Sequence, residues 1–230
     1  MNSGWLPQEY AIGDCAEPTA GRNSRYDAAL GFRCAPPRLM TPLTLHRHPA
    51  STAAPGLRIA ASVSRRPDGL AFSFRLQADP AQLRLPAPQP VGAADGLWMH
   101  TCFEAFVAAA GTPDYREFNF SPSGQWAAYA FGGYRARDRA APPMPPPTTT
   151  VRRIGDGVAL DALVPAAALP PATAGGGFEI GLAAVIERED GTLSYWALAH
   201  PAPRPDFHDR AGFVLHVGPQ GRPHVAEGTS

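Results

Sequence analysis

The chain has 230 residues, and its twenty basic side chains balance twenty acidic ones for a formal net charge of zero. With no basic excess to neutralise a phosphate backbone, nucleic acid is excluded as an expected partner. All the basic side chains are Arg, and the absence of Lys rules out Schiff-base chemistry and a phosphate-binding loop that needs that amine.

Residues 1–39 show neither a period of 2 nor one of 3.6 and mix Pro, Gly, Asn and scattered charge, so they are expected to form a disordered tail. The folded domain is expected over 40–218, with a short tail over 219–230. Within the domain, LRIAASVSR (57–65) and GLAFSFRLQAD (69–79) alternate in character around the turn residues RPDG, which predicts a hairpin. Leu70, Phe72, Phe74 and Leu76 share one face of the second strand, and Arg75 and Gln77 share the other.

A Pro- and Gly-broken connection (83–96) leads to LWMHTCFEAFV (97–107) and REFNFSPSGQW (116–126), read as two adjacent strands. WAAYAFGGYR (126–135) follows with strand character up to Phe131. APPMPPPTTT (141–150) reads as an exposed polyproline loop, and VRRIGDGVALDALVP (151–165) as a hairpin across Gly155-Asp156-Gly157. One helical turn at most is expected over 166–177, and then the strands FEIGLAAVIERED, TLSYWALA and GFVLHVG. Roughly ten short antiparallel strands with no βα alternation predict an all-β immunoglobulin-like or jelly-roll β-sandwich.

Three Cys without a CxxC pair suit neither a disulfide framework nor a zinc cluster. No apolar run reaches the roughly 18 residues of a membrane helix, and the first forty residues lack a secretory apolar core. The expectation is therefore a cytoplasmic protein with no membrane partner.

The chemistry gathers in three places. On the strand from Thr101, Cys102, Glu104 and Phe106 point one way, and both faces are apolar enough for a central strand. Glu104 then needs charge or hydrogen-bond donors, for which Arg116, Arg135 and Asn119 are candidates. On the next strand Tyr115, Glu117 and Asn119 share a face. If Glu117 lies opposite Glu104 the two carboxylates share a face, whereas a slip of one residue separates them, and periodicity leaves this open. The competing reading is a buried structural carboxylate.

Trp98, Trp126, Trp196 and Tyr134 are large aromatics near polar groups, including His100. A sugar ring packs its C–H face on indole while carboxylates and amides meet its hydroxyls. Alternatively, each Trp is simply core. The third place is AHPAPRPDFHD (199–209), where His200, Asp206, His208 and Asp209 could meet a divalent ion. Their spacing matches no zinc pattern, so no metal is expected, and a structural loop anchored by Phe207 is the preferred reading.

LWMHTCFEAFV, YREFNFSPSGQWAAYAFGGYR and YWALAHPAPRPDFHDRAGFVLHV together resemble the DOMON-like domains, related to family 9 carbohydrate-binding modules, over about residues 41–218. The resemblance implies a non-catalytic β-sandwich that holds a sugar or haem. Haem-binding members use Met with His as axial ligands. Here Met99 and His100 are adjacent and would face opposite ways in a strand, and Met144 lies in the Pro-rich loop, so no cofactor is expected.

The leading expectation is a binding module for a carbohydrate or related small polar ligand. Its candidate site is Trp98, His100, Glu104, Glu117, Asn119, Trp126, Tyr134, Arg135, Trp196, His200, Asp206 and His208. The alternatives are a glycoside hydrolase-like enzyme using Glu104 and Glu117, a haem-binding DOMON domain, and an interaction domain whose aromatics are all core.

Overall fold

The computed structural model describes residues 42–52, 54–172, 176–219, 221 and 223–225. All of these belong to one compact unit, Leu39–Ser230. The expected tail over 1–39, Met40, and much of 219–230 lie outside the described residues.

Strand β1 (Leu43–Arg47) opens the fold in a segment for which no strand was expected. β2 (Arg58–Arg66) and β3 (Gly69–Gln77) form the expected hairpin, turning over Pro67-Asp68. Every second side chain is buried along this pair, including Ile59, Val63, Phe72 and Phe74. Next, the stretch expected to begin as a strand at Leu97 departs from that reading. Leu97–Met99 is a 3-10 turn, because Gly96 takes a left-handed backbone (φ 72°) and its carbonyl accepts the Met99 N–H. Trp98 and His100 are thus not strand residues.

β4 (Cys102–Ala109) is buried at every position, as a central strand requires. β5 (Tyr115–Phe120) and β6 (Trp126–Phe131) follow. β7 (Thr148–Ile154) takes up the last three residues of the segment read as polyproline loop. The three Thr are β-branched and pair with β8 (Gly157–Pro165), so strand pairing overrides the proline run just before them. β9 (Phe178–Glu187), β10 (Leu193–Ala197), β11 (Leu215–Val217) and β12 (Pro223–Val225) complete the fold. β12 lies past Gly218, in the segment expected as a tail.

The strands form one antiparallel sheet in the order β6-β5-β4-β9-β10-β1-β2-β3-β8-β7, with β11 pairing β9 and β12. β1 is the corner of this sheet. Its residues Leu43 to Leu45 pair with β2, while His46 and Arg47 pair with β10. Beyond the corner the two halves face each other. Phe74 of β3 stacks on Phe103 of β4 at 5.1 Å, and Phe72 lies 6.3 Å from Phe120 of β5. Strands far apart in the hydrogen-bonded order therefore share a core, and each buried Phe adds on the order of 1.5–3 kcal/mol.

A second apolar cluster covers the opposite side of β4, β5 and β6. It contains Phe106, Tyr115, Tyr129, Phe131 and Phe213. This is why β4 and β5 are buried on both faces, and it is this outer cluster that carries the polar chemistry. Among the described residues no helix is long and apolar enough to cross a membrane.

Candidate functional site

The register of β4 on β5 decides how the carboxylates meet. Glu104 pairs with Asn119, and Phe106 pairs with Glu117. The slip is therefore two residues, so Glu104 and Glu117 share a face on the diagonal instead of standing directly opposite. Diagonal neighbours of this kind are separated by roughly 7–8 Å along the backbone, which relieves the repulsion of a directly opposed pair.

Three loops build walls around this face. The first runs before the 3-10 turn and is stitched to the edge strand, with Trp126 N–H donating to Gly92 O and Ala94 N–H donating to Trp126 O. It delivers Asp95, which accepts a short hydrogen bond from the Tyr129 hydroxyl, and Trp98, which is 52% exposed. The second follows β6 and carries Tyr134, Arg135 and Arg137. Arg135 holds a left-handed backbone (φ 52°), uncommon for a residue with a side chain, and is fixed there by an ion pair to Asp206 at 2.8 Å. The guanidinium of Arg137 lies over the Tyr129 ring at 4.1 Å.

The third wall is the 199–209 loop. Phe207 packs between Phe106 and Tyr195, at 6.4 and 6.1 Å. Asp206 accepts the His208 backbone N–H at 3.1 Å and the Tyr134 hydroxyl, so the loop is anchored by both the aspartate and the phenylalanine. Beneath it Gly181 leaves room for Phe213, because a Cβ there would stand 3.1 Å from the ring.

The result is a cleft of about 360 Å³ whose lining includes Trp98, Glu104, Glu117, Arg135, Arg137 and His208. Aromatic walls come from Phe106, Tyr129, Phe131, Tyr195 and Phe207, with Asp95 at the edge.

Its electrostatics follow from burial. Glu104 is 3% exposed, and its Oε1 has no hydrogen-bond partner. Burial, reinforced by the nearby Glu117 charge, pushes its carboxyl well above the usual range and favours the protonated form. Burial also raises Glu117, to about 7, against the counter-pull of the Asn119 amide and of Arg137 and Arg135. Asn119 Nδ2 donates to Glu117 Oε1 at 2.9 Å, while Asn119 Oδ1 is buried without a partner. His208 is pulled down to about 4 by burial and by Arg135, so it is neutral near pH 7.

His208 is tied to its neighbours through both ring nitrogens. The Tyr115 hydroxyl accepts the Arg135 backbone N–H at 3.2 Å and lies 2.8 Å from His208 Nδ1. With the Tyr115 hydroxyl donating to Nδ1, the neutral ring carries its proton on Nε2, which lies 3.8 Å from Glu117 Oε2.

Of the twelve residues singled out in the sequence, the structure brings Trp98, Glu104, Glu117, Arg135 and His208 together in the cleft. Asn119 supports its floor, and Tyr134 and Asp206 hold Arg135 at its rim. The other four lie elsewhere. Trp126 packs against the core between the sheet halves, and Trp196 is 6% exposed in that core with Nε1–H donating to Ser194 Oγ. His100 meets the buried carboxylate of Glu187 at 2.7 Å. His200 reaches the His46 carbonyl at 2.7 Å and stands edge-on to His48, away from Asp206 and His208. Among the described residues no three His, Cys, Asp or Glu side chains gather as a metal site would require.

Sequence reasoning missed Asp95, Tyr129, Phe131, Arg137, Tyr195 and Phe207 as cleft residues. Tyr129 and Phe131 were within reach, since they alternate with Ala128 and Ala130 on the strand next to Glu117. Asp95 and Arg137 sit in irregular loops, where no period shows direction.

No protein-family model matches the chain, and no curated protein sequence does. Among solved structures the chain is similar to one from Bacteroides uniformis ATCC 8492 described as a "putative carbohydrate-binding protein". The TM-score is 0.53 at 13% identity, over 74% of this chain and 84% of that one. At that identity the likeness is one of fold.

Proposed function

We propose that the cleft binds a saccharide or a closely related polyhydroxylated small molecule without turning it over, in a β-sandwich of the DOMON-like kind. The observation that carries the reading is the exposed Trp98 indole beside the aromatic-walled carboxyl pair. A sugar offers one apolar face for such a ring and hydroxyls that both donate and accept. In the cleft lining Glu117 supplies an acceptor and Arg137 a donor. The fold shared with a protein described as carbohydrate-binding lends support.

Two raised carboxyls on one face are also what a glycoside hydrolase would use, as acid and base. Against that reading, Glu104 Oε1 is buried in the floor, a poor position from which to protonate a leaving group.

Titration calorimetry against a panel of mono- and disaccharides tests the proposal. At least one should bind saturably, and Trp98→Ala should weaken it by about 1–3 kcal/mol with little loss of stability. Absence of any saturable saccharide binding would sink the reading. Release of reducing sugar from a bound glycoside would instead favour the hydrolase.

A further inference from the structure

A second concavity, of about 650 Å³, shares no residue with the carboxyl cleft. It is formed by the turn between β2 and β3, the segment 166–172, Arg116 of β5 and Phe178 of β9. Three arginines line it, Arg65, Arg66 and Arg116, and no aspartate or glutamate does.

Arg116 is the unusual member. Alternation puts it on the same side of β5 as Phe118 and Phe120, which are fully buried between the sheet halves. Its cross-strand neighbours, Val107 and Ala130, are apolar. Arg116 is thus a half-buried residue at the end of a hydrophobic layer. Among the described residues the side chains of Arg116 and Arg66 have no ion-pair, hydrogen-bond or ring partner. Arg65 is held in place, with its guanidinium 5.5 Å over the Phe178 ring and Nη1 donating to Gly218 O at 3.4 Å.

Three guanidinium charges around one hollow repel each other. A bound anion would relieve that cost. Guanidinium forks match tetrahedral oxyanions by paired N–H donation. The remaining wall, with Leu70, Leu169, Pro170 and Phe178, is apolar and suits an organic group beside the anion. A hollow of about 650 Å³ has the size of a small-molecule site.

We propose that this concavity is an anion site for a phosphate-bearing organic small molecule, with Arg65, Arg66 and Arg116 as its ligands. It is independent of the saccharide reading.

Titration of the whole chain with pyrophosphate, against sodium chloride at equal ionic strength, tests the anion half. Saturable binding at one site is expected, and Arg116→Gln and Arg66→Gln should each weaken it by about tenfold or more. Arg66 is exposed, so its variant keeps the test decisive if Arg116→Gln does not fold. Arg152→Gln removes one charge elsewhere, where Arg152 pairs with Asp161, and should leave binding unchanged. Pyrophosphate heats no larger than those of chloride, or an equal loss in Arg152→Gln, would overturn the site. Phenyl phosphate should bind more tightly than inorganic phosphate, and equal affinity would overturn the organic ligand.

Discussion

Glu117 and His208 face each other across 3.8 Å, and burial shifts them in opposite directions. In the folded protein Glu117 keeps its proton up to about pH 7, whereas its ordinary value is 4.5. Between those values the native state binds more protons than the unfolded chain, so this group's contribution to stability falls as pH rises. His208 works the other way. Its folded value is about 4 against an ordinary 6.5, so the unfolded chain takes up the proton first and stability falls as pH drops through that window. Glu117→Gln removes only the first effect, together with its push on Glu104, which has the same sign. The stability of the variant relative to wild type should therefore increase with pH from about 4.5 through 7, as read from urea denaturation at a series of pH values. A pH-independent difference would mean that Glu117 ionises as it would in water. The sequence identified both carboxylates and His208 as chemistry-bearing, but not their protonation, which depends on how much protein lies over them.

At the scale of elements, the hairpins were legible because turn residues and period-2 alternation coincide. The RPDG and GDG turns stand where the structure has them, with Arg66 opposite Gly69 and Ile154 opposite Gly157. The structure adds why glycine is needed at the second of each pair. A Cβ on Gly69 would lie 1.9 Å from Val164 O, and one on Gly157 1.9 Å from Leu76 O. Each glycine lets the neighbouring backbone of the β3–β8 pair approach. Gly69→Ala and Gly157→Ala should each lose about 1–3 kcal/mol or more, whereas Gly155→Ala, with nothing within 4 Å of the added carbon, should be near neutral. Thermal melts of the three variants check this, and equal melting temperatures would refute the close-approach account. Elements with weak local signals were missed for a related reason. β1 and β12, with five and three residues, are too short to show a period and are held by the edges that β2, β10 and β11 offer them.

For the whole molecule, the decisive fact is which side of the sheet each aromatic faces. Trp196 and Trp98 looked equally eligible as ligand contacts, yet one is 6% exposed in the core and the other 52% exposed beside the cleft. Trp196→Ala should therefore cost about 3–5 kcal/mol of stability, while saccharide affinity per folded molecule stays unchanged. Melting and calorimetry on one preparation would show it, and a selective loss of affinity would place Trp196 in the site after all. Alternation within single strands was enough to establish an all-β chain, a central position for β4, and Glu117 and Asn119 on one face. Those properties depend only on neighbours along the chain. The two-residue offset of Glu104 from Glu117, the fold-over at β1 that puts Phe74 on Phe103, and the meeting of Asp95, Arg137 and Phe207 came only from the tertiary structure. Strand register and loop convergence are set by the packing of residues distant in sequence, and a period read along one strand carries no information about its partner.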